Sequence, residues 1–124
     1  MEPVEPVEPV ELVPDENQGS VVVVLSTFAS EEDAARVGRE LVRRRLAACM
    51  NIVPGLRSIY RWQGQIEDAS EALAILKTGR ARLGELIAAL TALHPYQVPE
   101  ILAVPADRVA ASYARWVRAE TTPD

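Results

Sequence analysis

The chain has 124 residues, 48% hydrophobic and 25% charged, which suits one globular domain and is too short for two comfortable ones. Its net charge of -5 is concentrated at the start: the first 19 residues hold Glu2, Glu5, Glu8, Glu11, Asp15 and Glu16 and no base, leaving 12 acids against 13 bases elsewhere. A near-neutral domain has no electrostatic footprint for nucleic acid or for an anionic membrane, and no apolar run reaches membrane-spanning length.

The first elements are triplets, Glu2-Pro3-Val4, Glu5-Pro6-Val7 and Glu8-Pro9-Val10. Proline at every third position removes backbone donors and fixes φ, so residues 1–19 are predicted to be a disordered, acidic, proline-rich tail. The domain is expected over 20–120, with 121–124 as a second short tail. The N-terminus has neither the basic nor the apolar region of a secretory signal. The single cysteine, Cys49, excludes an internal disulfide framework and points to a reducing, cytoplasmic setting.

Val21 to Leu25 is a short β-branched run, read as a strand buried on both faces. Ser30 is a helix N-cap, followed by acids in the first turn and by Ala34, Val37, Gly38, Leu41 and Val42 on one face. The Arg43-Arg44-Arg45 run suits the helix C-terminus better than a phosphate site. From Leu46 to Trp62 the pattern is extended, with a bulge or bend predicted at Pro54-Gly55 and a two-residue turn at Gln63-Gly64. The returning strand runs to Thr78 and closes at Gly79. Leu83, Leu86, Ile87, Leu90 and Leu93 repeat at helical spacing until Pro95 ends the helix at His94. Val98 to Val104, with prolines near both ends, reads as an edge strand, and Val109, Tyr113, Trp116 and Val117 mark a last short helix.

The order β-α-β-β-α-β plus a C-terminal helix is the α+β, ferredoxin-like split βαβ arrangement. It places both main helices on one face of a four-stranded antiparallel sheet. The last helix is too small to cover the other face, and the central hairpin is long, so self-association is expected.

This topology serves unrelated functions. The strand Glu71 to Lys77 lacks the aromatics that stack RNA bases, and the loop Leu25 to Ser30 lacks the paired thiols of a soft-metal carrier. No nucleotide-binding glycine fingerprint is present. Cys49 and His94, the chain's only histidine, are the candidate ligands for a soft or borderline metal, with Glu100 as a helper. Against that, a cysteine between Ala48 and Met50 reads as a small buried hydrophobe, and His94 as a cap or packing residue. Lys77 on an apolar strand reads either as a partly buried lysine needing a carboxylate, with Glu100 the candidate for an ion pair, or as a snorkelling lysine at a strand end. Tyr60, Trp62, Tyr96 and Trp116 read as packing residues at subunit contacts. No nucleophile has an adjacent base, so an enzyme is the least favoured class.

Five segments resemble the signatures of the CutA family of divalent-cation tolerance proteins. Leu46-Ala47-Ala48-Cys49-Met50-Asn51-Ile52-Val53-Pro54-Gly55 is similar to "LAACVNI-PG", and Ser58 to Ile66 resembles the "S-Y-W-GKI" hairpin. Ile75-Leu76-Lys77-Thr78 is similar to "IKT", His94 to Ile101 to "HPYEVPEI", and Tyr113 with Trp116 to the closing "Y-W". The resemblance implies a homotrimer similar in architecture to the PII signalling proteins, with no established enzymatic activity. It implies a role in tolerance to divalent cations, copper above all, and in animal relatives a link to esterase anchoring at membranes. Cu(II) or another divalent cation is then the candidate ligand.

Some members carry a cysteine where this chain has Ser26, and a second histidine where it has Leu93. That leaves His94 alone of three implied copper ligands, and a hydroxyl cannot replace a thiolate for a soft metal. Gln97 stands where the family has an acid. Three functions stay open: a weak metal binder, a PII-like small-molecule trimer, and a structural trimeric scaffold.

Overall fold

A computed structural model of the chain describes residues 12–14 and 21–124. In chain order it has β1 (Leu12–Pro14), β2 (Val21–Phe28), α1 (Glu31–Arg43), β3 (Cys49–Trp62), β4 (Gln65–Gly79), a 3-10 turn (Arg80–Arg82), α2 (Leu83–Leu93), β5 (Leu102–Pro105), β6 (Arg108–Ala110) and α3 (Ala111–Glu120). The main sheet is antiparallel in the order β3-β4-β2-β5. This is the expected α+β arrangement, with an overlong β3–β4 hairpin.

Local chemistry sets each boundary. Ser30 caps α1 by accepting the Asp33 N–H at 3.1 Å. Both turn residues between β3 and β4, Gln63 and Gly64, have positive φ (50° and 80°), the combination that matches the twist of a tight hairpin. The ladder slips between Val53 and Leu56, where Gly55 takes φ 73° and Pro54 cannot donate. His94 turns extended at ψ 131°, as the following proline demands, and ends α2.

Alternation assigns the two faces of the sheet. Val22, Val24 and Phe28 of β2 and Ala74 and Leu76 of β4 pack under Ala34, Val37 and Leu41 of α1 and Leu86 and Leu90 of α2. The other face carries Val23, Leu25, Leu73 and Ile75, only half-buried, and the exposed Leu102 and Val104. There α3 covers one end only, through a small cluster of Val117, Ala114, Val109, Ala48 and Val21.

Three features differ from the sequence reading. The last sheet strand begins at Leu102, not Val98, because residues 94–101 first turn back over the end of β2. Arg45, with φ 60°, donates to the Ala119 and Thr122 carbonyls (both 2.6 Å) and so ties the end of α1 to the end of α3, while Arg43 and Arg44 both bind Glu40. The hydrogen bonds from these two arginines hold the Glu40 carboxyl down at about 2. Leu12–Pro14, inside the segment expected to be a disordered tail, pairs antiparallel with Arg108–Ala110. The rest of that call, on 1–11 and 15–19, lies outside the described residues.

Candidate functional site

His94 stands at the join of α2, β2 and the hairpin. The residue is 6% exposed, and its ring stacks on Phe28 with centroids 4.2 Å apart and planes 14° apart. Nε2 lies 2.8 Å from the Thr27 carbonyl, which can only accept, so Nε2 carries the proton. Nδ1 then accepts the Tyr96 N–H at 3.1 Å. Burial lowers the imidazole pKa, partly opposed by the Thr27 hydrogen bond, so the ring is kept neutral with both nitrogens used. The histidine thereby pins the 94–96 corner against the end of β2.

Tyr96 extends the network outward. Its hydroxyl donates to Glu71 Oε2 at 2.6 Å, and burial together with that carboxylate pushes the phenol well above its usual range. Beyond it opens a cleft of about 600 Å³ between the hairpin and residues 94–101. Tyr60, Trp62 and Tyr96 line it, with Glu71 and Glu100 as its charged groups. Composition alone did not show this convergence. The signal was there in the alternation of Ser58, Tyr60 and Trp62, which puts them on one side of β3.

The predicted metal ligands do not converge within the chain. Cys49 is half-buried, with Sγ 3.9 Å from the Tyr113 hydroxyl, and that phenol is pushed up to about 12 by burial first and by Cys49. Cys49 pairs with Lys77 and so lies level with Val23, four residues along β2 from Thr27. At strand rise that is about 13 Å along the strands from the carbonyl His94 binds, and β4 stands between β3 and β2, which adds two strand spacings of about 4.8 Å across the sheet. Glu100 is exposed at the cleft rim. The expected Lys77–Glu100 ion pair does not form in the chain. Lys77 instead donates to Asn51 Oδ1, and six residues of β4, about 20 Å at strand rise, separate it from Glu71 in the cleft. Of the four aromatics, Tyr60, Trp62 and Tyr96 meet at the cleft, while Trp116 sits on α3 beside Tyr113, its ring 5.7 Å away.

A copper centre fits this donor set poorly. Ser26 is wholly buried on the helix face, and its Oγ has no hydrogen-bond partner. The hydroxyl is where a thiolate would be needed, and the His94 lone pair is already taken by Tyr96. Among the described residues no three His, Cys, Asp or Glu side chains come close enough to hold a metal ion.

A split βαβ domain with both helices on one face, an overlong hairpin and an opposite face that, among the described residues, α3 covers at one end only defines the class: a ferredoxin-like α+β domain with an added C-terminal helix. The chain belongs to the CutA1 divalent ion tolerance protein family, whose model matches residues 22–120. It is 48% identical over 99 residues to the divalent-cation tolerance protein CutA of Thermus thermophilus, over 80% of this chain and 96% of that protein. Human protein CutA is 39% identical over 103 residues, a match that covers 83% of this chain and 58% of the human protein. The solved structure of CutA from Synechococcus elongatus aligns with a TM-score of 0.83 at 30% identity, over 90% of this chain and 96% of that one. The family's description names tolerance to divalent ions and no catalysed reaction. Among the described residues no helix is long and apolar enough to cross a membrane.

Proposed function

We propose that this chain serves divalent-cation tolerance as a cytoplasmic homotrimer, whose subunits bury the open sheet face and the hairpin against one another. The carrying observation is the pattern of exposed apolar groups. Ile59 and Ile66 on the hairpin are 66% and 63% exposed, and Leu102 and Val104 on the edge strand β5 are 54% and 49% exposed. By register Leu102 and Val104 share the open face with Leu25 and Val23, while Ile59 and Ile66 lie on the opposite side of the hairpin. A lone domain leaves single apolar residues outside but seldom so many on both a half-covered sheet face and a projecting hairpin with free edges. Three-fold association closes such edges without an open chain of contacts.

The cation, Cu(II) or another divalent ion, is met where subunits adjoin, by Glu100 and by His94 once its Tyr96 hydrogen bond is given up. Giving up that bond makes the binding weak. Cys49, whose Sγ lies against the Tyr113 hydroxyl of its own chain, serves packing rather than this site. Calorimetric titration of the metal-free protein with Cu(II) tests the reading. Binding with defined stoichiometry, weakened by Glu100→Gln and lost in His94→Ala, supports it; heat unchanged in both variants contradicts the cation role and leaves the scaffold.

The aromatic cleft favours a second reading, a PII-like trimer that binds a small molecule. Its volume lies in the range of small-ligand pockets. A ligand seated there raises the melting temperature by linkage.

A further inference from the structure

We infer that the cleft between the β3–β4 hairpin and residues 94–101 binds a small organic cation, an alkylammonium group on a compact apolar body. The inference rests on the reading of this cleft as a ligand site and names the ligand's chemistry.

Three aromatic side chains, Tyr60, Trp62 and Tyr96, form its apolar lining, and Glu71 and Glu100 supply two carboxylates. No lysine or arginine among the described residues lines it. Neither carboxylate takes part in an ion pair among the described residues. Aromatic faces carry negative partial charge, so rings and carboxylates act in the same sense: they favour a cation and repel an anion. A neutral ligand of equal size would gain from the rings alone.

Size separates an organic cation from a bare metal ion. A divalent ion needs several oxygen or nitrogen ligands within about 2.0–2.6 Å and has no use for aromatic walls. A space of about 600 Å³ suits a molecule of several heavy atoms. The Tyr96 ring is also positioned beforehand. Its N–H is held by His94 and its hydroxyl by Glu71, so binding does not have to order that ring. One Glu71 oxygen is taken by Tyr96, and the exposed Glu100 has no such partner.

The test uses three probes of nearly one shape: tetramethylammonium, neutral tert-butanol and anionic pivalate. Each is titrated calorimetrically into the full chain with a chelator present and ionic strength matched. The expected result is saturable binding of tetramethylammonium, with tert-butanol at least tenfold weaker and pivalate not bound. Trp62→Leu should weaken tetramethylammonium about fivefold, as the loss of one cation–π face implies. Glu100→Gln, at an exposed position, should weaken it about threefold with the melting temperature unchanged. That second variant keeps the test sound if Trp62→Leu disturbs assembly. Equal binding of tert-butanol, or preferred binding of pivalate, would overturn the inference while leaving the cleft a ligand site. Tetramethylammonium binding unchanged in both variants would put the cation elsewhere and overturn it too. No saturable binding of any probe would overturn both the inference and the ligand-site reading beneath it.

Discussion

On the helix side of the sheet, Phe28, Leu41, Leu76, Leu86 and Leu90 are wholly buried, whereas on the hairpin and the edge strand Ile59, Ile66, Leu102 and Val104 stand about half exposed or more. The two regions have similar composition but different partners. The helix side is closed by α1 and α2 within one chain, so its energetics belong to folding. Among the described residues the open side is covered only by α3 at one end, so in the proposed trimer its energetics belong to association. Substitutions should therefore sort by face: changes under the helices alter unfolding, and changes on the hairpin alter assembly.

The largest effect should come from Phe28→Ala. Removing a ring with no exposure that also stacks on His94 should cost about 3–5 kcal/mol in denaturant unfolding, beyond what a small domain readily tolerates. On the other side, Trp62→Ala should leave the circular dichroism of the subunit unchanged and weaken self-association by about 2 kcal/mol, the loss expected if the proposed trimer buries the hairpin, Trp62 included, between subunits. Equal effects of these two changes on subunit unfolding would erase the division between the faces.

Thr78→Val sharpens the account of the covered side. The Thr78 hydroxyl, fully buried, donates to the Leu46 carbonyl at 2.7 Å, so valine strands an acceptor and should cost about 1–3 kcal/mol in the same unfolding assay. The His94 corner gives a pH signature. Its folded pKa lies below the usual 6.5, so the unfolded chain takes up a proton first as pH falls. Stability should be full above about 6.5 and decline below it, by up to about 1.4 kcal/mol per pH unit, until the folded imidazole also protonates. Urea midpoints from pH 8 to 5 check this, and His94→Gln should flatten the profile. The smallest effect is at the hairpin tip. Gly64→Ala forces a side chain onto φ 80° and should cost about 1 kcal/mol, read as a lower melting temperature.

Periodicity made most of the fold legible. Ser30, the Pro54-Gly55 bulge, the Gln63-Gly64 turn and the stop at His94 are each local events, and each fell where local chemistry put it. What stayed hidden depends on distant partners. Nothing near Val98 in sequence shows that residues 94–101 must first reach the Thr27 carbonyl, which delays the last sheet strand to Leu102. Likewise Arg45 reads as one of three helix-end cations until the end of α3 supplies carbonyls for it. The site was legible only in its residue types. His94, Cys49, Lys77 and Glu100 were singled out by chemistry, but strand register places Cys49 and Lys77 far from the cleft, and alternation brings Tyr60 and Trp62 into it.

Sedimentation equilibrium of the full chain at micromolar concentration, with Trp62→Ala beside it, tests the central claim most directly. The account predicts a single species of three times the subunit mass, with the variant shifted toward monomer while its thermal unfolding as a subunit is unchanged. A wild-type protein that sediments as a stable monomer would contradict it, because the open sheet face and the hairpin would then remain in water.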